Sequence, residues 1–301
     1  MIDHDDFRQR EAERAAKEKQ DRHDRKEREM AEWLAAPCPG CERTGRSDRA
    51  WVELRRTLES DVLRLVSDGP PLCPECYRRD VDDRWGDLAR MIHIPPRYAV
   101  ASFDECPDVP KQLVSDLRDW AVDPYGFAVL TGPPGCGKTY LAACILRHVL
   151  REGLMSTTQL DFDSEGDYLH ELKRCMDSQR KPPDLTTIPL LVFDDLGASR
   201  LTDWARDELT RVIDKRYANG LATVCTTNLS IADLGQSLDG RASSRLAADG
   251  NVFELTTGKD LRQVGTVKPP RESLVGTTQQ RPRLERRTPG EVAAGLRTRT
   301  A

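Results

Sequence analysis

One segment constrains the fold of this 301-residue chain more than any other: residues 132–139, which read Gly-Pro-Pro-Gly-Cys-Gly-Lys-Thr. It matches the pattern GxxxxGK[ST] and stands between a buried-strand pattern at 127–131 and an amphipathic helical pattern at 139–151. A phosphate-binding loop requires this strand–loop–helix context. The glycines allow backbone N–H groups to converge on phosphate oxygens, and the helix N-terminus adds positive potential. The sequence therefore predicts a nucleotide-binding loop.

The residues of this loop have distinct expected roles. Lys138 is expected to contact the β- and γ-phosphates of ATP, and Thr139 is expected to hold Mg²⁺. The rest of the predicted nucleotide cradle consists of Gly132, Pro133, Pro134, Gly135, Cys136, Gly137 and Tyr140.

Short apolar runs alternate with helical patterns between Lys111 and Arg262. The strand patterns cover residues 127–131, 155–161, 188–193, 222–226 and 252–255. The helical patterns between them cover residues 139–151, 166–176 and 204–218. Strands that alternate with helices are typical of a parallel sheet. The predicted fold is therefore α/β, a parallel sheet flanked by helices on both faces.

The apolar run 188–193 ends in two carboxylates, Asp194 and Asp195. Asp194 is expected to bind the Mg²⁺ shell, and Asp195 to orient or deprotonate the attacking water. The alternative is a strand that ends in a solvated acidic turn. Many related ATPases carry glutamate at the second position. Because aspartate is one methylene shorter, we expect slow hydrolysis in the absence of a partner.

The strand pattern that ends at residue 226 is followed by Thr227 and Asn228. A polar side chain at this strand end can hydrogen-bond the γ-phosphate or the attacking water, which makes Asn228 a candidate catalytic residue. The alternative is an ordinary turn asparagine.

Two CxxC pairs precede this region, one formed by Cys38 and Cys41 and the other by Cys73 and Cys76. Two such pairs can supply four thiolates to a tetrahedral Zn²⁺ site, which leaves no open position and is therefore structural. The gap between the pairs is longer than in a short zinc ribbon. The alternatives are redox pairs, structural cysteines or separate turns.

The composition indicates where the protein is located in the cell but does not indicate its activity. The net charge of −4 argues neither for nor against a nucleic-acid partner. No apolar run approaches the roughly 20 residues of a membrane helix, and the acidic N-terminus does not resemble a secretory signal. We therefore expect a cytoplasmic protein with no membrane partner, in which paired cysteines bind metal more often than they form disulfides.

The predicted organisation has five parts. Residues 1–36 form a charged helical arm, which is either solvated or disordered, or alternatively docks a partner. A zinc-binding module covers residues 37–85 and a proline-rich linker covers 86–110. The ATPase domain covers 111–262. Residues 263–301 are rich in proline, threonine and arginine and are expected to form a disordered basic tail.

Several motifs in fixed order resemble the AAA+ ATPases of the DnaC/DnaI helicase-loader and IstB transposition-helper group. The resemblance covers roughly residues 94–262. The matching segments are Ile94–Tyr98 with Ser102 and Phe103, Phe193–Gly197, Cys225–Asn228, Gly240–Leu246 and Lys259–Arg262.

This resemblance implies roles for three arginines. Arg245 is expected to reach the γ-phosphate bound by a neighbouring subunit of a homo-oligomer, where it neutralises charge in the transition state. Arg241 is expected to act beside it, and Arg262 to sense the nucleotide in its own chain. The alternative for each arginine is an ordinary surface or capping charge. The resemblance also implies a domain without a helical lid, since few residues follow Asn228 before the tail.

The same resemblance implies a nucleic-acid ligand. The stretch from Tyr168 to Arg174, with Arg180 and Lys181, is a candidate contact for single-stranded DNA, because bases stack on aromatic rings while basic side chains meet phosphates. A charged helix face would have the same sequence pattern.

The sequence is compatible with three functions. The first is a loader that places a hexameric replicative DNA helicase on single-stranded DNA. The resemblance favours it, because DnaI-type loaders carry an N-terminal zinc domain and this chain has a predicted zinc module in the same place. The second is an ATP-dependent transposition helper that acts on duplex DNA. The third is a small P-loop kinase or nucleotide-binding interaction module, and the arginine motif at 240–246 counts against a kinase.

Overall fold

The computed structural model describes residues 74–106, 109–198, 200–248 and 250–256, and the single residues 17, 20, 21 and 41. Within these ranges, five strands form one sheet in which all neighbouring pairs are parallel. The strands are β1 (Phe127–Thr131), β2 (Leu160–Ser164), β3 (Leu190–Asp194), β4 (Ala222–Thr227) and β5 (Val252–Glu254). Their spatial order is β2-β3-β4-β1-β5. The predicted α/β fold with a parallel sheet is confirmed.

Helices cover both faces of this sheet. In the described ranges they are α1 (Pro74–Met91), α2 (Lys111–Val122), α3 (Lys138–Arg151), α4 (Glu165–Ser178), α5 (Asp203–Ala218), α6 (Ile231–Ser237) and α7 (Gly240–Ala247). One hydrophobic cluster joins the sheet to α1, α2 and α3, and the other joins it to α4, α5, α6 and α7. Successive β1 residues alternate between the two clusters, as the period of a strand requires. Burial on both faces explains why the strand sequences are continuous apolar runs.

The strand order brings three strand ends together at the carboxyl edge of the sheet. β4 lies between β1 and β3, with Thr131 paired in register with Thr227 and Phe193 with Cys225. The segments that follow these strands are the phosphate loop, the turn after Asp194 and the segment containing Asn228. Ligands of open α/β sheets bind outside the carboxyl ends of the strands. The topology therefore assembles the predicted site from three distant parts of the chain.

The position of β2 differs from the prediction. The expected strand covered residues 155–161, whereas β2 runs from Leu160 to Ser164. Ser156 and Gln159 form a capping box around a 3₁₀ turn, so the strand begins only after Gln159. The carboxylate of Asp161 accepts hydrogen bonds from the Phe162 backbone N–H at 2.9 Å and makes a 2.7 Å contact with the Nδ1 atom of His93. These contacts allow a polar segment to form a buried strand.

The segment predicted to be a linker is part of the domain core. Helix α1 crosses the expected boundary between residues 85 and 86, and Trp85 is buried, with its Nε1 donating to the Ala99 carbonyl at 2.5 Å. The Arg147 guanidinium of α3 stacks over the Trp85 ring at 5.3 Å and donates to the Ala101 carbonyl at 3.1 Å. Ile92 and Phe103 are buried in the same cluster. The prolines of this segment led to the prediction of a linker, whereas the apolar residues between them pack into the core.

Other predictions concern residues outside the described ranges. These are the charged arm 1–36 apart from three single residues, most of the module 37–85, Arg262, and the tail 263–301. The predicted absence of a helical lid concerns residues after 256 and lies outside these ranges as well.

A buried arginine ties α5 to two neighbouring segments. The Arg216 side chain is fully buried and donates to the carbonyl oxygens of Leu185 at 2.5 Å, Ile188 at 2.9 Å and Ala222 at 2.7 Å. Its Nε also donates to the Thr223 hydroxyl at 2.7 Å. Burial lowers the pKa of Arg216 to about 10, so the guanidinium remains protonated at neutral pH.

Replacing Arg216 with methionine is expected to lower the free energy of unfolding by at least about 3 kcal/mol, because three buried carbonyl groups lose their donor. Urea unfolding followed by circular dichroism measures the change. The matched control is Lys215→Met on the exposed side of the same helix, which is expected to change stability by less than about 0.5 kcal/mol. Equal stability of the two variants would contradict the structural role of Arg216.

Candidate nucleotide-binding site

The phosphate loop connects the end of β1 to the start of α3. Three glycines in it have positive φ angles, 148° at Gly132, 83° at Gly135 and 99° at Gly137. A Cβ atom on Gly132 would lie 2.4 Å from the Leu255 carbonyl oxygen, so a side chain cannot fit there. Gly137 caps α3 in the left-handed conformation and directs the first N–H groups of the helix towards the loop. The backbone therefore has the conformation that the predicted anion cradle requires.

Lys138 lies inside this cradle and is only 5% exposed. Its ammonium donates to the carbonyl oxygens of Gly132 and Pro133 and to the side-chain oxygen of Asn228, each at 2.8 Å. A buried ammonium needs such partners, and phosphate oxygens can replace them with a favourable charge interaction. Asn228 follows β4, so this contact joins the two predicted catalytic residues across neighbouring strands.

A carboxylate and a hydroxyl face each other beside the loop. The Thr139 hydroxyl donates to Oδ1 of Asp194 at 3.0 Å, and the Thr226 hydroxyl donates to the same oxygen at 2.6 Å. Burial, and secondly the neighbouring Asp195 carboxylate, raise the pKa of Asp194 to about 6 despite these hydrogen bonds. The carboxylate is therefore ionised at neutral pH. Paired hydroxyl and carboxylate oxygens form the kind of donor set that Mg²⁺ prefers, so these two residues fit the predicted metal role.

Asp195 stands next to Asp194 in a different environment. Its side chain is exposed, and its backbone has a positive φ of 57°, which is uncommon for a residue other than glycine. Its N–H donates to the Thr226 hydroxyl at 2.9 Å, and the next N–H, of Leu196, donates to the Thr226 carbonyl at 2.8 Å. The turn therefore presents the second carboxylate to solvent at the carboxyl edge of the sheet.

Two other residues of the predicted cradle have polar contacts, Tyr140 outside the loop and Cys136 within it, where its sulfur accepts from the Lys138 ammonium at 3.6 Å. The Tyr140 hydroxyl donates to the carbonyl oxygens of Ser102 at 3.3 Å and Glu105 at 3.1 Å, and burial raises its pKa to about 12. The Cys136 side chain is 1% exposed and belongs to the core beside α3. Pro133 and Pro134 are exposed. Tyr140 thus attaches α3 to the segment before α2, whereas the Cys136 sulfur packs against the lysine inside the loop.

Arg245 of the 240–246 motif lies away from the phosphate loop of its own chain. Arg245 forms an ion pair with Asp214 of α5, and its guanidinium lies 5.9 Å from the ring centroid of Tyr217. Asp214 is about 16 Å along α5 from Asp203, at 1.5 Å per residue. Because α5 returns from the carboxyl edge to the amino edge, Arg245 lies towards the edge opposite the loop. Arg241 is exposed.

The predicted zinc ligands are only partly within the described residues. Cys38 and Cys73 lie outside them. Cys76 is buried in the first turn of α1, and Cys41 is one of the single described residues. Among the described residues, no group of three or more histidine, cysteine or carboxylate side chains is arranged to hold a metal ion. The four-cysteine zinc site remains a prediction.

The structure adds two residues that the sequence analysis missed near this site. Thr226 bonds both Asp194 and the Asp195 backbone, and only its place in the segment Cys225–Asn228 pointed to it. Glu165 is 1% exposed and accepts a hydrogen bond from the Gly197 N–H at 2.6 Å. The shifted prediction of β2 hid this residue, because it placed Glu165 in a connection rather than at the start of α4.

Among the described residues, none of the helices combines the length and the apolar character needed to span a bilayer.

Comparison with known proteins identifies the family of this chain. Residues 74–247 match the family model described as IstB-like ATP binding protein. The replicative helicase loader DnaI of Bacillus subtilis (strain 168) is 30% identical over 196 residues, which is 59% of this chain and 61% of that protein. An insertion-sequence protein of Geobacillus stearothermophilus, named for ATP binding, is 24% identical over 155 residues, which is 50% of this chain and 60% of that protein. The chain therefore spans about 60% of the length of each of these relatives.

Among solved structures, the crystal structure of the DnaC helicase loader aligns with a TM-score of 0.48 and 26% identity, over 53% of this chain and 99% of that chain. The family match itself is broader. It covers more than half of the chain and includes the phosphate loop, both aspartates and Asn228. The chain belongs to the family of IstB-like ATP-binding proteins.

Proposed function

We propose that this protein hydrolyses ATP at the carboxyl edge of its sheet. The observation that carries the proposal is the hydrogen-bonded set of Lys138, Asn228, Thr139 and Asp194, which joins the ends of β1, β3 and β4. Lys138 would bind the β- and γ-phosphates, and the N–H groups of the loop would bind the remaining phosphate oxygens. Thr139 and Asp194 would hold Mg²⁺, which when bound neutralises phosphate charge.

The two adjacent aspartates have environments suited to different tasks. Asp194 is buried and fixed by two hydroxyl groups, which suits a metal ligand. Asp195 is exposed at the edge where the γ-phosphate would lie, which suits a residue that accepts a hydrogen bond from the attacking water. Its short side chain supports the expectation that hydrolysis is slow until a partner or a second subunit completes the site.

The position of Arg245 supports a site that is shared between subunits. The ion pair with Asp214 holds the side chain towards the edge of the sheet opposite its own phosphate loop, away from a nucleotide bound in the same chain. A head-to-tail arrangement of identical chains would place this edge against the next subunit's nucleotide. An arginine supplied in this way stabilises the charge of the phosphoryl-transfer transition state.

We further propose that the assembly loads a hexameric replicative helicase onto single-stranded DNA. The relative DnaI is named as a replicative helicase loader, and it is the more similar of the two relatives described above. The predicted zinc module before the ATPase domain supports the same choice. The second candidate is an ATP-dependent transposition helper on duplex DNA, which the insertion-sequence relative and the IstB-like family description favour.

The proposed single-strand contact has to be revised. Tyr168 is fully buried, with its ring edge-on to Phe193 at 5.9 Å and its hydroxyl donating to Glu208 at 3.1 Å, so it cannot stack on a base. An exposed aromatic residue lies nearby instead. The Lys173 ammonium of α4 lies 5.9 Å from the ring centroid of Trp204 at the start of α5. This pair replaces Tyr168 as the candidate stacking contact.

Complex formation with the helicase tests the loader proposal. The full chain is mixed with the replicative helicase of the same genome and ATP, then separated by size-exclusion chromatography. Co-elution that requires ATP is expected. A parallel sample with duplex DNA and ATP is examined by electron microscopy. Filaments on duplex DNA without any helicase complex would reject the loader and favour the transposition helper.

A further inference from the structure

A buried glutamate holds the turn that carries Asp195. Glu165 is the first residue of α4, and its Oε2 accepts the Gly197 N–H at 2.6 Å. The residue is only 1% exposed. Burying a carboxylate is unfavourable unless it gains strong hydrogen bonds, although its place at a helix N-terminus offsets part of that penalty. The position of this carboxylate therefore points to a specific task at the turn.

The turn itself needs external support. Asp195 has a φ of 57° and Gly197 a φ of 75°, and the left-handed conformation at a residue other than glycine costs on the order of 1 kcal/mol or more. On one side, Thr226 of β4 accepts the N–H groups of Asp195 and Leu196. On the other side, Glu165 of α4 accepts the N–H of Gly197. The turn is thus held between two elements, and Glu165 supplies the contact from α4.

The surroundings of Gly197 leave no room for a side chain. A Cβ atom there would lie 2.8 Å from a Leu229 methyl group and 2.9 Å from a Leu234 methyl group. The backbone of Gly197 is therefore packed tightly against the segment after β4 and against α6. With the backbone packed on that side, the hydrogen bond to Glu165 holds the peptide N–H of Gly197 from the other side.

We propose that Glu165 is a positioning residue for ATP hydrolysis. Its carboxylate fixes the Gly197 amide, and the fixed turn directs the Asp195 carboxylate to the water that attacks the γ-phosphate. The inference rests on the proposed function of Asp195. Glu165 contacts neither nucleotide nor water in this scheme. A displacement of about 1 Å at a reacting group can lower a rate by about 100-fold, so the effect of losing this contact is measurable.

Three substitutions of Glu165 distinguish the effect of its side-chain length from the effect of its charge. Glu165→Ala removes the acceptor, and kcat is expected to fall about 10- to 100-fold. The KM for ATP is expected to change less than about twofold, because the phosphate loop follows β1 whereas Glu165 begins α4 after β2. Glu165→Gln keeps an acceptor oxygen at the same distance and is expected to retain most of kcat. Glu165→Asp keeps the charge but is one methylene too short, so it is expected to behave like the alanine variant.

Hydrogen exchange supplies a readout that does not depend on turnover. The backbone amide of Gly197 is expected to exchange faster in Glu165→Ala and Glu165→Asp than in the wild type, and to stay protected in Glu165→Gln. The matched control is Asp167→Ala, an exposed acid in the same helical turn, which is expected to change neither measurement. Thermal unfolding shows that each variant is folded, and Glu165→Gln keeps the test valid if the alanine variant is not.

The outcomes separate this inference from the function on which it rests. Faster exchange at Gly197 with unchanged kcat would overturn it, because Glu165 would then be purely structural. Equal losses in the alanine and glutamine variants would also overturn it. A wild-type protein that hydrolyses no ATP, with or without its partners, would reject the proposed function and this inference together, whereas an active wild type with the preceding results rejects only the inference.

Discussion

Replacing Lys138 with methionine is expected to reduce ATP hydrolysis by at least about 100-fold, the scale on which removal of one preorganised charge-stabilising donor acts. Methionine preserves much of the apolar stem but removes the ammonium that now lies 2.8 Å from the Gly132 and Pro133 carbonyl oxygens and from Asn228. Because the ammonium would contact both bound and transferring phosphates, nucleotide affinity is expected to fall as well. Steady-state hydrolysis and titration with a fluorescent ATP analogue measure the two effects.

The matched control for this substitution is Lys111→Met at the exposed start of α2, far in sequence from the phosphate loop. It removes the same charge and is expected to leave hydrolysis and nucleotide affinity unchanged. Thermal unfolding of both variants excludes a loss of folding as the cause. Nucleotide binding by Lys138→Met with wild-type affinity would contradict the assignment of residues 132–139 as the phosphate loop.

The sequence predicts this part of the molecule well because its determinants are local. The three glycines with positive φ, the lysine and the threonine lie within eight residues, and their context needs only the strand before and the helix after. The sequence also predicts that Asp194, at the end of β3, and Asn228, directly after β4, lie at the same edge of the sheet. Apolar runs mark the strands, and parallel pairing brings their carboxyl ends to one edge wherever they lie in the chain.

The features that the sequence does not reveal depend on contacts between distant segments. Tyr168 reads as an exposed aromatic residue of a charged helix, but the packing of α4 on the sheet buries it against Phe193. The segment 86–106 reads as a linker, but Trp85 and Phe103 attach it to the core. Glu165 lies among polar residues in the sequence, whereas its carboxylate is buried and accepts a hydrogen bond from the Gly197 amide, 32 residues away. No local pattern contains these partners.

The role of Arg245 also depends on contacts that no local sequence pattern contains. The motif at 240–246 predicts an arginine with a role at a nucleotide, and the structure places it against Asp214 and Tyr217 of its own chain. An intrachain ion pair alone would make Arg245 a stabilising residue. In an assembly, Arg245 can instead act at the nucleotide of a neighbouring subunit. Variants that remove either the ion pair or the guanidinium distinguish these two roles.

Replacing Arg245 with alanine is expected to lower ATP hydrolysis by about 1,000-fold while leaving ATP affinity within about threefold, because a finger arginine acts mainly on the transition state. Asp214→Asn is the matched control. It breaks the same ion pair and is expected to lower stability by a similar amount, about 1 kcal/mol or less for a half-exposed pair. Since it leaves the guanidinium in place, Asp214→Asn is expected to retain hydrolysis. Equal losses of activity in both variants would show that only the ion pair matters.

A mixing experiment then shows where the arginine acts. Lys138→Met chains lack a working phosphate loop but keep Arg245, and Arg245→Ala chains have the reverse defect. In a mixed assembly, the arginine of a Lys138→Met subunit can serve the intact loop of an adjacent Arg245→Ala subunit. Hydrolysis is therefore expected to rise well above that of either variant alone, with a maximum near equal amounts. If Arg245 acts only within its own chain, no mixed neighbour can restore the site, and the mixture will hydrolyse ATP no faster than the sum of its parts.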